Sequence, residues 1–269
     1  MKTKALLWIN FIGFPVSFAI LFASFFISHF WWQSVALSLS INSICSLLVF
    51  NFVNRIFDKE VERKNEEVLI QQEKSDILKH VKIIEVYLHF YILEYNQLTI
   101  PLERRTKEHK FEPIDNTHFN VDFNINDLKT FAQIDIGPNS KITDKIIQRY
   151  DITYRTLVDK FEKFLSSCNF KYHQNIYNVT RSIIIESFRP NGIENLLEYC
   201  SNNVNDKILP TIVNMCSEYK GNPVEDYNSR TFSGNLFQPI IELYVHLIKT
   251  QELLTSFTSE INSLKSTNN

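Results

Sequence analysis

The chain has 269 residues, with 28 Lys and Arg against 30 Asp and Glu and only five glycines. A net charge of −2 offers no basic field for phosphates, so direct nucleic-acid binding is not expected, and so little glycine leaves no Gly-rich phosphate loop. The four cysteines, Cys45, Cys168, Cys200 and Cys216, form no CxxC or CxxH pair. That spacing argues against a disulfide framework or structural zinc and for buried thiols in a reducing cytosol.

From Lys4 to Arg55 there is no intervening Lys, Arg, Asp or Glu, and only His29 titrates near neutrality. Such a run is more than twice the roughly 20 apolar residues that cross a ~30 Å hydrocarbon core. It is interrupted by Ser28, His29 and Gln33, with Trp31 and Trp32 suited to a headgroup interface. The pattern predicts a transmembrane hairpin over 1–54, with spans at about 5–27 and 34–53. A cleaved signal peptide is a poorer reading, because the apolar stretch exceeds a signal core and no clear small-x-small site follows it. Lys2 and Lys4 precede the spans and Arg55, Lys59, Arg63 and Lys64 follow them, while the connecting turn has no positive charge. The positive-inside rule then puts both termini in the cytoplasm of a multi-pass inner-membrane protein.

Polar residues mark particular faces of these spans. In the second, Ser34, Ser38, Asn42 and Ser46 recur every four residues; in the first, Asn10, Gly13, Ser17 and Ser24 follow three-and-four spacing, with Pro15 a source of a kink. Small and hydroxyl side chains let membrane helices approach and hydrogen-bond. These residues either hold the hairpin closed or build a homo-oligomer or polar path.

A helical stalk is expected over 55–100. Its proximal half is charged. Its distal half carries Ile77, Val81, Ile84, Leu88, Tyr91, Tyr95 and Leu98 in a coiled-coil-like seam that ends at Pro101. Residues 101–125 form a polar loop, in which 121–125 only hints at a strand. The remainder, 126–269, reads as a helical domain with helices at about 126–135, 140–167, 173–188, 192–216 (interrupted at Pro210) and 235–265. The last carries Ile240, Leu243, Leu247, Leu254, Phe257, Ile261 and Leu264 on one seam, suited to pack on the stalk as a bundle. The fold class is therefore all-α. Residues 55–269 keep all 30 acidic residues but 26 of the 28 basic ones, because Lys2 and Lys4 fall outside them, which leaves this part near −4.

No constellation identifies an enzyme. Arg104 and His109 have the spacing of a family of helical RNA-cleaving domains, but nine arginines and seven histidines make such a match expected by chance. His109, Glu112, Asp115 and His118 are spaced three apart, yet Pro113 interrupts any shared helical face, so no metal is expected. The charged run 103–110 reads as solvated surface or a docking patch. Asn178-Val179-Thr180 is a glycosylation sequon without meaning in a cytoplasmic domain. Nucleophile elbows, Walker loops and zincin helices are absent, and no cofactor is implied.

The uncharged stretch 5–54 followed by the mixed stalk from Arg55 resembles the two-transmembrane effectors of bacterial anti-phage defence systems, particularly those that accompany retrons. The resemblance implies a toxin held silent by a cytoplasmic regulatory protein or ribonucleoprotein and released to depolarise or permeabilise the inner membrane. The alternative is a membrane-anchored adaptor or scaffold with passive spans. Both readings share one topology. In a cysteine-free background, a thiol at Gln33 should react with an impermeant reagent added outside the cell and one at Asn269 should not; labelling at Asn269 would reverse the orientation.

Overall fold

The computed structural model describes residues 2–101, 116–133, 144–201 and 208–266, with side chains from Trp8 onward. The described residues are helical and contain no strand. In order they are α1 (Lys2–Ser24), α2 (Phe30–Thr99), a 3-10 helix (Ile125–Ala132), α3 (Ile146–Ser167), α4 (Gln174–Ser187), α5 (Ile193–Ser201), α6 (Ile208–Glu218), α7 (Pro223–Ser229) and α8 (Gln238–Ser266). The chain divides into two compact units, Met1–Gln71 and Gln72–Asn269, and the division falls inside α2. The distal part of the expected stalk therefore belongs to the second unit.

In the first unit, α1 ends in tight turns, with Phe25 N–H donating to Phe22 O at 3.3 Å and Phe26 N–H to Ala23 O at 3.0 Å. Helix α2 runs for 70 residues because no Gly or Pro interrupts it. It is the one described helix long and apolar enough to cross a membrane, with an 18-residue window of mean hydropathy 1.8; α1 contributes a shorter apolar stretch, Trp8–Ser24. Only 6% of that α2 window is buried. Phe11, Phe22, Phe26 and Phe30 are exposed as well. Each such ring would gain roughly 1.5–3 kcal/mol on leaving water, so this surface suits an apolar solvent. Beyond the apolar stretch, Arg63 bridges Glu60 at 2.7 Å and Glu67 at 2.8 Å along the exposed helix.

The second unit has one hydrophobic core. The seam Ile77, Val81, Ile84, Leu88, Tyr91, Tyr95 and Leu98 is buried, as is the α8 seam from Ile240 to Leu264. Helix α3 supplies Tyr150, Tyr154, Leu157, Phe161 and Phe164. At the centre, the Tyr91 and Tyr150 hydroxyls are 2.8 Å apart, and the Tyr150 hydroxyl lies 3.1 Å from His246 Nε2. Phe161 meets Phe257 edge-on at 5.0 Å. These contacts join α2, α3 and α8 within the unit.

Side chains satisfy the last carbonyls of α2, which have no partner within the helix. Thr130 donates to Leu98 O, and Asn120 Nδ2 donates to Thr99 O at 3.2 Å. Asn96 clasps the following loop, accepting from Asn120 N–H and donating to His118 O, both at 2.8 Å. Residues 121–124 form no regular element; Asp122 N–H donates to Asn120 Oδ1 at 3.3 Å and Asn124 N–H to Asp127 Oδ2 at 2.9 Å. Asn124 then caps the 3-10 helix in a reciprocal box with Asp127.

Helix ends differ from the sequence expectation in informative ways. The segment expected as a helix at 126–135 is the shorter 3-10 helix. Pro210 lies within α6 (Ile208–Glu218), and the residues before it, 202–207, lie outside the described residues. The Asn222-Pro223 pair marks a helix start rather than only a break. Asn222 accepts from Val224 N–H, Pro223 occupies the first turn, and α7 follows. Gly192 has φ +71°, and a Cβ there would lie 2.0 Å from Pro239 O, so the α4–α5 turn seats directly on the start of α8.

His246 is fully buried, and desolvation lowers its pKa to about 3. The folded pKa lies below the unfolded value of about 6.5, so the unfolded chain binds the extra proton between those limits. Stability should therefore fall as pH drops from 6.5 towards 3, by up to about 1.4 kcal/mol per unit from this group. Denaturant titrations between pH 6.5 and 5.5 should show this slope in the parent and a flatter one in His246→Gln. Equal slopes would mean that His246 is protonated or solvated in the folded state.

Candidate functional site: the polar faces of the apolar helices

The seven polar or small residues expected at the helix contacts separate onto two faces. On the first, Asn10 Nδ2 donates to Asn51 Oδ1 and Asn51 Nδ2 donates back to Asn10 Oδ1, both at 2.7 Å. Asn51 Nδ2 also reaches Leu47 O at 2.8 Å. Ser17 and Ser43 share a 2.7 Å hydroxyl hydrogen bond. Between these two rungs, a Cβ on Gly13 would lie 3.1 Å from Leu47 Cδ1, which shows how closely the helices approach. Ser24 and Ser40 are buried further along and return their hydroxyls to Leu21 O and Ala36 O, at 2.6 and 2.8 Å. The pairings 10/51, 13/47 and 17/43 define an antiparallel register.

The second face holds Ser34, Ser38, Asn42 and Ser46. All four are exposed and none hydrogen-bonds to α1. Ser34, Ser38 and Asn42 line a groove of about 500 Å³ together with Phe30, Gln33 and Leu37. The Asn42 carboxamide has no hydrogen-bond partner among the described residues.

Ser40, Ser43 and Asn51, the α2 side of the first face, escaped the sequence reading. A four-residue repeat drifts by about 40° per step around a 3.6-residue helix, so the regular serine stripe draws attention away from a packing face. The contact face instead alternates fours and threes through Ser40, Ser43 or Ile44, Leu47 and Asn51. Asn51, with Asn54 three residues on, was the available signal near the end of the apolar stretch.

The other candidate chemistry does not converge. Arg104, His109, Glu112 and Asp115, and the charged run 103–110, lie outside the described residues. His118 is exposed, with Nδ1 2.8 Å from Thr117 Oγ1. Among the described residues no three His, Cys, Asp or Glu side chains are placed to hold a metal ion. Burial raises the Cys168 and Cys200 thiols to about 11 and Cys216 to about 12. They stay protonated at neutral pH, which makes them poor nucleophiles. Glu73 accepts from Tyr172 N–H and His173 Nδ1, both at 2.9 Å, and serves to anchor the start of α4.

Comparison with known protein families, curated proteins and solved structures finds no match to this chain.

The carboxamide pair is testable by a double-mutant cycle. Asn10→Leu and Asn51→Leu should each weaken association of the two helices in bilayers. The coupling between them should be about 0.6–1.7 kcal/mol, the range of interhelical hydrogen bonds in lipid. A coupling near zero, measured by unfolding in bicelles, would mean that the pair adds nothing to the contact.

Proposed function

We propose that this chain is a membrane-anchored effector, in which α1 and the apolar part of α2 form a two-span hairpin with both termini in the cytoplasm. Copies associate through the outward face of α2 and perturb a bacterial inner membrane. The helical unit is the part held by a cytoplasmic regulatory protein or ribonucleoprotein until infection is sensed. Among the proposed elements, the resemblance to anti-phage effectors supports the defence setting.

One observation carries the assembly. The hairpin contact is completed by Asn10, Gly13, Ser17, Ser43, Leu47 and Asn51, so the stripe Ser34, Ser38, Asn42 and Ser46 is not needed to close it. A carboxamide left facing hydrocarbon is costly, and a passive anchor gains nothing from one. Against another copy the same stripe would supply close approach and hydrogen bonds.

A second reading, the anchored adaptor, draws on a different surface. Ile83, Val86 and Phe90 lie on one stripe of α2 and are 53, 52 and 57% exposed. A helix apolar on its outer face as well as its core face suits a docked protein partner.

Replacing Ser38, Asn42 and Ser46 together by Leu separates these readings. The variant remains hydrophobic and should insert as the parent does. Induction of the parent should dissipate membrane potential, and induction of the triple variant should not. A parent that leaves the potential intact under every condition, infection included, would rule out the effector and leave the adaptor.

A further inference from the structure

The helical unit carries a cleft that the membrane reading does not use. It holds about 480 Å³, and its lining includes Asp226, Tyr227, Arg230, Phe232, Ile241 and Glu242. That volume is in the range of small-molecule sites.

The charged groups of the cleft are oriented by neutral neighbours and left without counter-charges. The Tyr219 hydroxyl donates to Asp226 Oδ2. Gln238 Nε2 donates to Glu242 Oε1 at 2.6 Å, while Gln238 Oε1 accepts from Gly234 N–H, also at 2.6 Å. Each carboxylate thus has one oxygen fixed by an uncharged donor, and the other makes no hydrogen bond among the described residues. Among the described residues neither has a Lys, Arg or His within ion-pair distance, and the Arg230 guanidinium has no acceptor. Arg230 ends α7 in the left-handed conformation, φ 55° and ψ 31°, with its N–H donating to Asp226 O and Tyr227 O. Ile241 is buried at the base, and Phe232 is half-buried beside it.

We propose that this cleft binds a basic α-amino acid of the lysine class, its carboxylate at Arg230, its two cationic groups at Asp226 and Glu242, and its aliphatic stem over Ile241 and Phe232. Three fixed charges summing to −1 meet three ligand charges summing to +1. A neutral amino acid would leave one carboxylate unpaired, and a diamine would leave the guanidinium unpaired. The ligand inference stands apart from the effector reading, because the residues it uses all lie in the second unit.

The test is calorimetric titration of the full chain in detergent with L-lysine, norleucine (no ε-ammonium) and cadaverine (no carboxylate). Lysine should bind saturably, and each analogue at least about tenfold more weakly, as expected for one unpaired charge. Arg230→Gln, an exposed position, should bind lysine and cadaverine equally, and Arg230→Lys should restore part of the preference. Glu242→Gln should weaken lysine about tenfold. Absence of saturable binding at millimolar lysine, equal affinity of the parent for all three compounds, or unchanged lysine affinity in a folded Arg230→Gln would each overturn the proposal. Should Glu242→Gln fail to fold, the analogue series on the parent decides.

Discussion

Polar groups carried on an apolar helix must find partners within protein, because hydrocarbon supplies none. In the proposed membrane setting that requirement centres the first unit on Asn10 and Asn51, which use both donor and acceptor of each carboxamide on one another. Once that pair is made, the helix spacing is settled locally. Gly13 then faces Leu47 at close range, and Ser17 meets Ser43 one step further on. The remaining serines of this face bond to carbonyls of their own helices, as hydroxyls commonly do in apolar helices. Asn54 Nδ2 remains buried without a partner near the end of the stretch, and the exposed polar stripe Ser34, Ser38, Asn42 and Ser46 gives the effector proposal its physical content.

The second unit meets the same requirement differently. Its core includes a chain of polar atoms, from the Tyr91 hydroxyl through that of Tyr150 to His246, with Thr250 Oγ1 3.5 Å from His246 Nδ1. Burial pushes the tyrosine hydroxyls well above their ordinary pKa and the imidazole well below its own, so every member is neutral at physiological pH. A neutral network avoids the desolvation penalty of buried charge while still fixing the rotation of three helices about one another. Around it, edge-on aromatic pairs such as Phe164 with Phe170 and Phe164 with Phe257 fill the space between α3, its C-terminal turn and α8. The pattern suits a rigid helical support.

Charged residues in this unit follow burial closely. Glu94 is nearly inaccessible and is paired with Arg149, whereas the pairs Lys79–Asp76 and Lys163–Asp159 are exposed. Removing one member of the buried pair would strand a charge, while surface pairs contribute little beyond local helix preference. The α7–α8 cleft departs from this economy, since its carboxylates and guanidinium are held in place without counter-ions.

Much of the architecture was legible in the sequence because it rests on periodicity. The uncharged stretch, the seam from Ile77 to Leu98, the seam from Ile240 to Leu264 and the helix breaks at Gly and Pro all follow from side chains recurring at helical spacing or from residues that cannot continue a helix. Local chemistry that serves two purposes was less legible. Asn222-Pro223 can end one element or cap the next. Tertiary structure alone decided which polar residues face one another: Ser43 and Asn51 meet α1, while the more regular Ser34–Ser38–Asn42–Ser46 stripe does not. It also gathered Asp226, Arg230 and Glu242 into one cleft. The sequence determined which faces are polar, because that depends on spacing along one helix; which face meets which depends on crossing register and close approach between helices, and no single helix encodes those.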